Sequence, residues 1–173
     1  MTVGLSLNEL TEFTGWERSR WHSWLVEHGD TVLAISVGPH GDGRIQTIGE
    51  LIKHIFAAEK HHVDRLSNRL PTDMSSVPSD NIEGLFQFGA QSRKDLKEFV
   101  ETLPVDDWNV ERQFEIMSHI VSVTPRKFIV HILTHEIRHW AQIATMLRLN
   151  GLTGGFPDFL FGPVMGGGAK PMG

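Results

Sequence analysis

The sequence predicts an all-α fold, a four-helix bundle. Three observations lead there: four long segments carry apolar residues at helical spacing, each opens on a side chain able to cap a helix, and modest loops join them. Ser6 with Glu9 has the spacing of a capping box. In that device a side-chain oxygen accepts a bond from a backbone N–H that the helix leaves unpaired, and the glutamate returns one. The first helix then runs to about Glu27 and stops at Gly29, a residue suited to the turn out of a helix. Thr47 with Glu50 repeats the device and opens the second helix, 48 to 69, with Pro71 beyond it. Asp80 with Glu83 starts the third, which ends near Leu103 before Pro104. Thr124 followed by Pro125 starts the fourth, because proline suits the first helical position, and Gly151 marks its end.

Between these helices TVLAISV (31–37), ahead of the second, and RQFEIMSHIVSV (112–123), ahead of the fourth, are β-branched and partly alternating. They predict short strands or extended connectors. PHGDG (39–43) reads as a loop. The bundle domain is expected over 1–155, followed by a Gly/Pro-rich tail over 156–173. Phe156, Phe159, Leu160 and Phe161 predict that 156–164 packs on the bundle or on a partner subunit, with the last residues loose. Trp16, Trp21 and Trp24 have helical spacing and belong to the core or a dimer interface.

Composition narrows the function. The 173 residues suffice for one domain with a real core. With no cysteine, disulfides, zinc–thiolate sites and cysteine nucleophiles are excluded, so any catalytic thiol has to arrive with a substrate. A net charge of −5 with 16 scattered Lys and Arg gives no basic stripe for nucleic acid. No apolar run suits a signal peptide or a membrane span, so a cytoplasmic protein without a membrane partner is expected.

The chemistry concentrates in HILTHEIRHWAQI (131–143). At about 100° per residue, Phe128, His135, His139 and Met146 fall within about 20° of one line, flanked by Ile132 and Ile143. Two imidazoles on an apolar stripe need partners, since a buried polar group left unbonded costs about 1–3 kcal/mol. One metal ion satisfies both, because residues four apart on a helix converge. His131 is too far along the axis from His139 to join that pair, and 135 with 139 is the more central choice.

The class depends on the third ligand. His135-Glu136-Ile137-Arg138-His139 matches the H-E-x-x-H pattern in which a glutamate serves a zinc protease as general base. A protease needs a further ligand downstream, and after His139 the only acid is Asp158, with no histidine. The metzincin extension fails too, with Gln142 and Thr145 at its positions. The ligand must then come from TIGELIKHIFAAEKHHVDRL (47–66), where His54 and His61 share a face and spacing does not choose between them. Glu59 falls among Ile48, Ile52, Ile55 and Leu66, either partly exposed or buried with a partner. In the latter case it can orient an imidazole or accept a proton.

These two segments together resemble the DinB/YfiT-like superfamily of metal-dependent enzymes. TIGELIKHIFAAEKHHVDRL resembles its second helix, with a histidine followed five residues later by glutamate, and HILTHEIRHWAQIATMLRLNG resembles its H-x-x-x-H segment running into L-R-x-x-G. FTGWERSRWHSWL is compatible with its first helix, so the resemblance covers about 10 to 151. It implies a DinB-like bundle, with His54, His135 and His139 holding one divalent ion, zinc or nickel. Glu59, His131 and Gln142 are expected around those ligands. Where the family often has Arg-Gly after the last histidine, this chain has Trp140-Ala141, and the tryptophan is expected to narrow or cover the space beside the metal. Relatives of known activity include thiol-dependent S-transferases and isomerases that use low-molecular-weight thiols. The expected function is accordingly a thiol-dependent S-transferase or a hydrolase acting on a small molecule, in a homodimer. The alternative is a non-catalytic metal- or ligand-binding bundle, its site closed by a fourth ligand such as His61 or Glu59.

Overall fold

A computed structural model describes residues 4–38, 43–116, 118–155, 157–166 and 168. Four helices dominate it: α1 (Leu7–His28), α2 (Ile48–Leu66), α3 (Ile82–Thr102) and α4 (Pro125–Leu149). Both expected capping boxes form, at Ser6 with Glu9 and at Thr47 with Glu50, and Thr124 accepts the Lys127 N–H. Two boundaries differ from expectation. α2 ends at Leu66 rather than 69, because Asn68 adopts φ +54° and the Arg69 N–H turns back to the Asp64 carbonyl at 2.8 Å. α3 is capped by Asn81 rather than Asp80: its side chain accepts the Gly84 N–H at 2.7 Å, while Asp30 accepts the Ile82 N–H at 2.9 Å.

The connectors are partly as expected. Residues 112–123 form an antiparallel hairpin of β1 (Arg112–Ile116) and β2 (His119–Val123), with Arg112 opposite Val123 and Ile116 opposite His119. The 31–37 stretch is extended only at its end, where Ser36 bridges Thr47; Asp30–Ala34 is a 3-10 turn. Residues 39–42 of the expected loop lie outside the described residues, as do Phe156 and 169–173 of the tail. What is described of the tail returns to α1: the Phe159 ring meets Phe13 edge-on at 4.9 Å, and Val164 is buried.

The interior is layered along the bundle axis. One apolar cluster gathers Trp21, Leu25, Ile52, Phe56, Leu85, Trp140 and Ile143; another gathers Leu10, Val63, Leu66, Leu96, Ile129 and Leu133. Between them lies a buried ionic layer to which every helix contributes: Arg18 from α1, Glu59 from α2, Arg93 from α3 and Glu136 from α4. Arg18 donates to both carboxylates and to the Gly89 carbonyl, and its guanidinium lies 4.7 Å over the Phe56 ring. Arg93 donates to Glu59 at 3.0 Å, Glu136 at 2.6 Å and Thr14 at 2.7 Å. Two guanidinium groups facing two carboxylates make the layer neutral. Burial would raise the Glu136 pKa, but Arg18 and Arg93 hold it below the usual carboxylate range.

Glu17 is a third carboxyl beside this layer, with no charge left to balance it. Burial, then the charge of Glu136, pushes its pKa up to about 8 against the pull of Arg18. It is therefore protonated at neutral pH.

Candidate metal centre

The stripe on α4 meets the middle of α2, and this brings three histidines together. The ring centroids of His54 lie 5.1 Å from His135 and 5.0 Å from His139, and those of His135 and His139 are 4.3 Å apart. One donor nitrogen from each lies within 4.8 Å of the others. The Nε2 atoms of His135 and His139 are 3.0 Å apart, close to the separation of about 3.3 Å that two nitrogens adopt on a tetrahedral zinc ion. Burial, then the neighbouring His139 and His54, draws the His135 pKa down to about 3. It is thus neutral, the form that can donate to a cation. The group fits one divalent ion on the chemistry of its donors.

Gln142 sits one turn beyond His139. Its Oε1 lies 2.6 Å from His139 Nδ1, so Nδ1 carries the proton and Nε2 presents its lone pair toward His135. Arg138 Nη2 approaches the same Nε2 at 3.5 Å. His131 is exposed, its ring 5.6 Å from His135 and 5.6 Å from His62. His61 turns away, its Nε2 on the Thr72 carbonyl at 3.0 Å.

The two glutamates that sequence patterns place near the site face elsewhere. Glu59 is buried with its Oε2 on Arg18 and Arg93, and its Oε1 has no hydrogen-bond partner among the described residues. It belongs to the ionic layer, not to the imidazoles. Glu136 does likewise: it accepts from both arginines and from Trp140 Nε1 at 3.1 Å, so it is not placed as the base of a protease. Trp140 corrects another expectation. It is buried, stacked at 5.2 Å on Trp21, and does not cover the histidines. Its neighbour Ala141 faces the adjacent cavity instead.

Two cavities flank the histidines. One, of about 590 Å³, is lined by His54 and His139 with Leu51, Gln142 and Met146. The other, of about 750 Å³, is lined by His54 and His135 with Phe128 and the hairpin residues Ile116, Val121 and Val123. Both lie in the size range of small-molecule sites, about 300–1,000 Å³. The hairpin thus supplies a wall of the site, a role its sequence did not announce. No described helix is long and apolar enough to cross a membrane.

A four-helix bundle whose second and fourth helices bring together a histidine group able to hold a divalent ion defines a class of helical metal-site proteins. The model of the DinB family matches residues 4–164, and the chain belongs to that family. The match is wider than the 10–151 legible by resemblance and takes in the buried Val164 of the tail. Among curated proteins none matches the chain.

Proposed function

We propose that His54, His135 and His139 hold one divalent ion, zinc or nickel, and that the site is catalytic, serving S-transfer from a low-molecular-weight thiol or hydrolysis of a small molecule. The observation that carries this reading is the convergence of the three donors between two cavities, with Gln142 setting the tautomer of His139. The residues that would close the site as a fourth ligand are engaged elsewhere, His61 on Thr72 and Glu59 on two arginines, which favours a site open to substrate over a structural one. Held by three neutral imidazoles, a divalent ion would keep its full charge and would lower the pKa of a thiol or water bound to it.

The chain's own groups have separable tasks. His54, His135 and His139 bind, Gln142 orients, and Arg138 offers a cation beside an anion that develops at the histidines. Phe128 and the hairpin give one side of the site an apolar wall. With no cysteine in the chain, the thiol is a cosubstrate. A homodimer is part of the proposal: Phe159, Leu160 and Phe161 expose 44%, 77% and 57% of their surface, and light scattering reads the mass directly. So is a cytoplasmic location.

The test is elemental analysis of untagged protein never exposed to an affinity metal, beside His54→Ala, His135→Ala and His139→Ala. About one equivalent in the parent, lost in each variant, is the expected result. Thiol-transfer and hydrolysis screens on the loaded protein follow, and activity that survives His135→Ala would refute the catalytic assignment.

A further inference from the structure

The chain is acidic overall, with 21 Asp and Glu against 16 Lys and Arg. The larger cavity beside the histidines reverses that balance: Arg44, Arg65, Lys127 and Arg138 line it, with no aspartate or glutamate among the described residues. A groove elsewhere, of about 1010 Å³ between α1 and α3, keeps the mixed character of the surface, with Lys94 and Lys97 beside Glu83, Glu98 and Glu101. The excess of cations thus marks this cavity off from that groove.

The placement of these cations is specific. Arg65 leans on His62, Nη1 to Nδ1 at 3.5 Å, and has no carboxylate partner among the described residues. Lys127 occupies the first turn of α4, which holds no acid, although a cation there opposes the helix dipole. Arg138 stands at the histidine end, within 3.5 Å of His139. Beside the cations the wall combines the apolar side chains Ile116, Val121 and Phe128 with the imidazoles of His61, His62 and His131.

From this arrangement we infer that the larger cavity takes an organic oxyanion, a carboxylate or phosphate ester on an apolar body. Its headgroup is held by Arg65 and Lys127, and its reacting end lies at the histidines. The inference rests on the proposed metal-site reading for the reaction it serves, but the recognition it describes is independent of the ion. Guanidinium and ammonium donors bind such headgroups by charge-assisted hydrogen bonds, and a half-enclosed wall strengthens them relative to open water.

Calorimetry on the full chain, in zinc-loaded and in chelator-stripped form, tests it with hexanoate, hexyl phosphate and the neutral hexanamide. One or both anions are expected to bind at least about tenfold tighter than the amide in both forms, and the tighter of the two identifies the headgroup. In Arg65→Gln/Lys127→Gln this preference is expected to vanish, with melting temperature and zinc stoichiometry kept, and in Arg65→Lys it is expected to persist. Equal binding of amide and anions, or a preference that survives the double substitution, would overturn the inference. Failure of the parent chain to take up zinc, with its anion preference intact, would instead refute the metal reading and leave anion recognition standing.

Discussion

Glu136 and its neighbours His135 and His139 lie on adjacent positions of one helix, yet they belong to opposite kinds of polar cluster. Glu136 enters a layer in which two arginines and two carboxylates answer one another, with Gly89, Thr11 and Thr14 accepting further guanidinium N–H groups. The histidines converge on one another, with the Gln142 amide behind His139, and line two cavities. The difference teaches how to separate structure from function inside a bundle. A polar cluster whose charges balance within the protein specifies the packing of the helices; one whose donor atoms converge beside open cavities can take a ligand.

The sharpest way to break this contrast is Glu136→Ala. It leaves two buried guanidinium groups short of a carboxylate, and a loss of about 3–5 kcal/mol in urea unfolding is expected. A loss below about 1 kcal/mol would mean that the layer is not a closed unit. The next effect comes from the open cluster and has the reverse signature. Removing an imidazole in His54→Ala, His135→Ala or His139→Ala should change metal-free stability by less than about 1 kcal/mol. Zinc at a hundredfold excess over its dissociation constant should stabilise the parent by about 2.7 kcal/mol and the variants not at all. Large losses in the metal-free variants would place the histidines in the structural class instead.

Glu17, buried beside the ionic layer, gives the next effect, one that depends on pH. Its carboxyl titrates at about 8 in the folded protein against an ordinary 4.5, so the folded state holds an extra proton between these values. Stability contributed by this group is accordingly present at low pH and declines as pH rises from 4.5 toward 8. Glu17→Gln removes the decline. The variant should match the parent near about pH 4 and exceed it by on the order of 2 kcal/mol near about pH 9, in paired unfolding curves. A constant difference across the range would show that Glu17 is not held protonated.

The sequence discloses these regions unequally, for physical reasons. Capping at Ser6, Thr47 and Thr124 depends on residues three apart, so it is legible locally. The histidines are legible because four-residue spacing on α4 and a matched motif on α2 each leave a mark. The ionic layer is not, since its bonds join α1, α2, α3 and α4 across up to 118 residues. Its one hint is charge at core positions: Glu59 among isoleucines, and Arg18 one turn from Thr14 and three residues from Trp21 on the buried side of α1. The same distance in sequence hides the hairpin's place in the cavity wall.

The start of α3 is the smallest case of that division. Asp80 and Asn81 both have cap chemistry, and Asp80 with Glu83 imitates a capping box, so local reasoning selects the wrong one. Asp30 reverses the choice: it accepts the Ile82 N–H at 2.9 Å and reaches Asn81 Nδ2 at 3.4 Å, while exposed Asp80 accepts neither bond. Asn81→Ala should therefore cost about 1 kcal/mol, the usual worth of an N-cap, and Asp30→Ala a similar amount, although it lies outside the helix. Asp80→Ala should stay within about 0.5 kcal/mol of the parent. Were Asp80 the costly one, the helix would be capped as its own sequence suggests. The closing of polar groups would then be a local matter here, as it is at Ser6 and is not at Glu136.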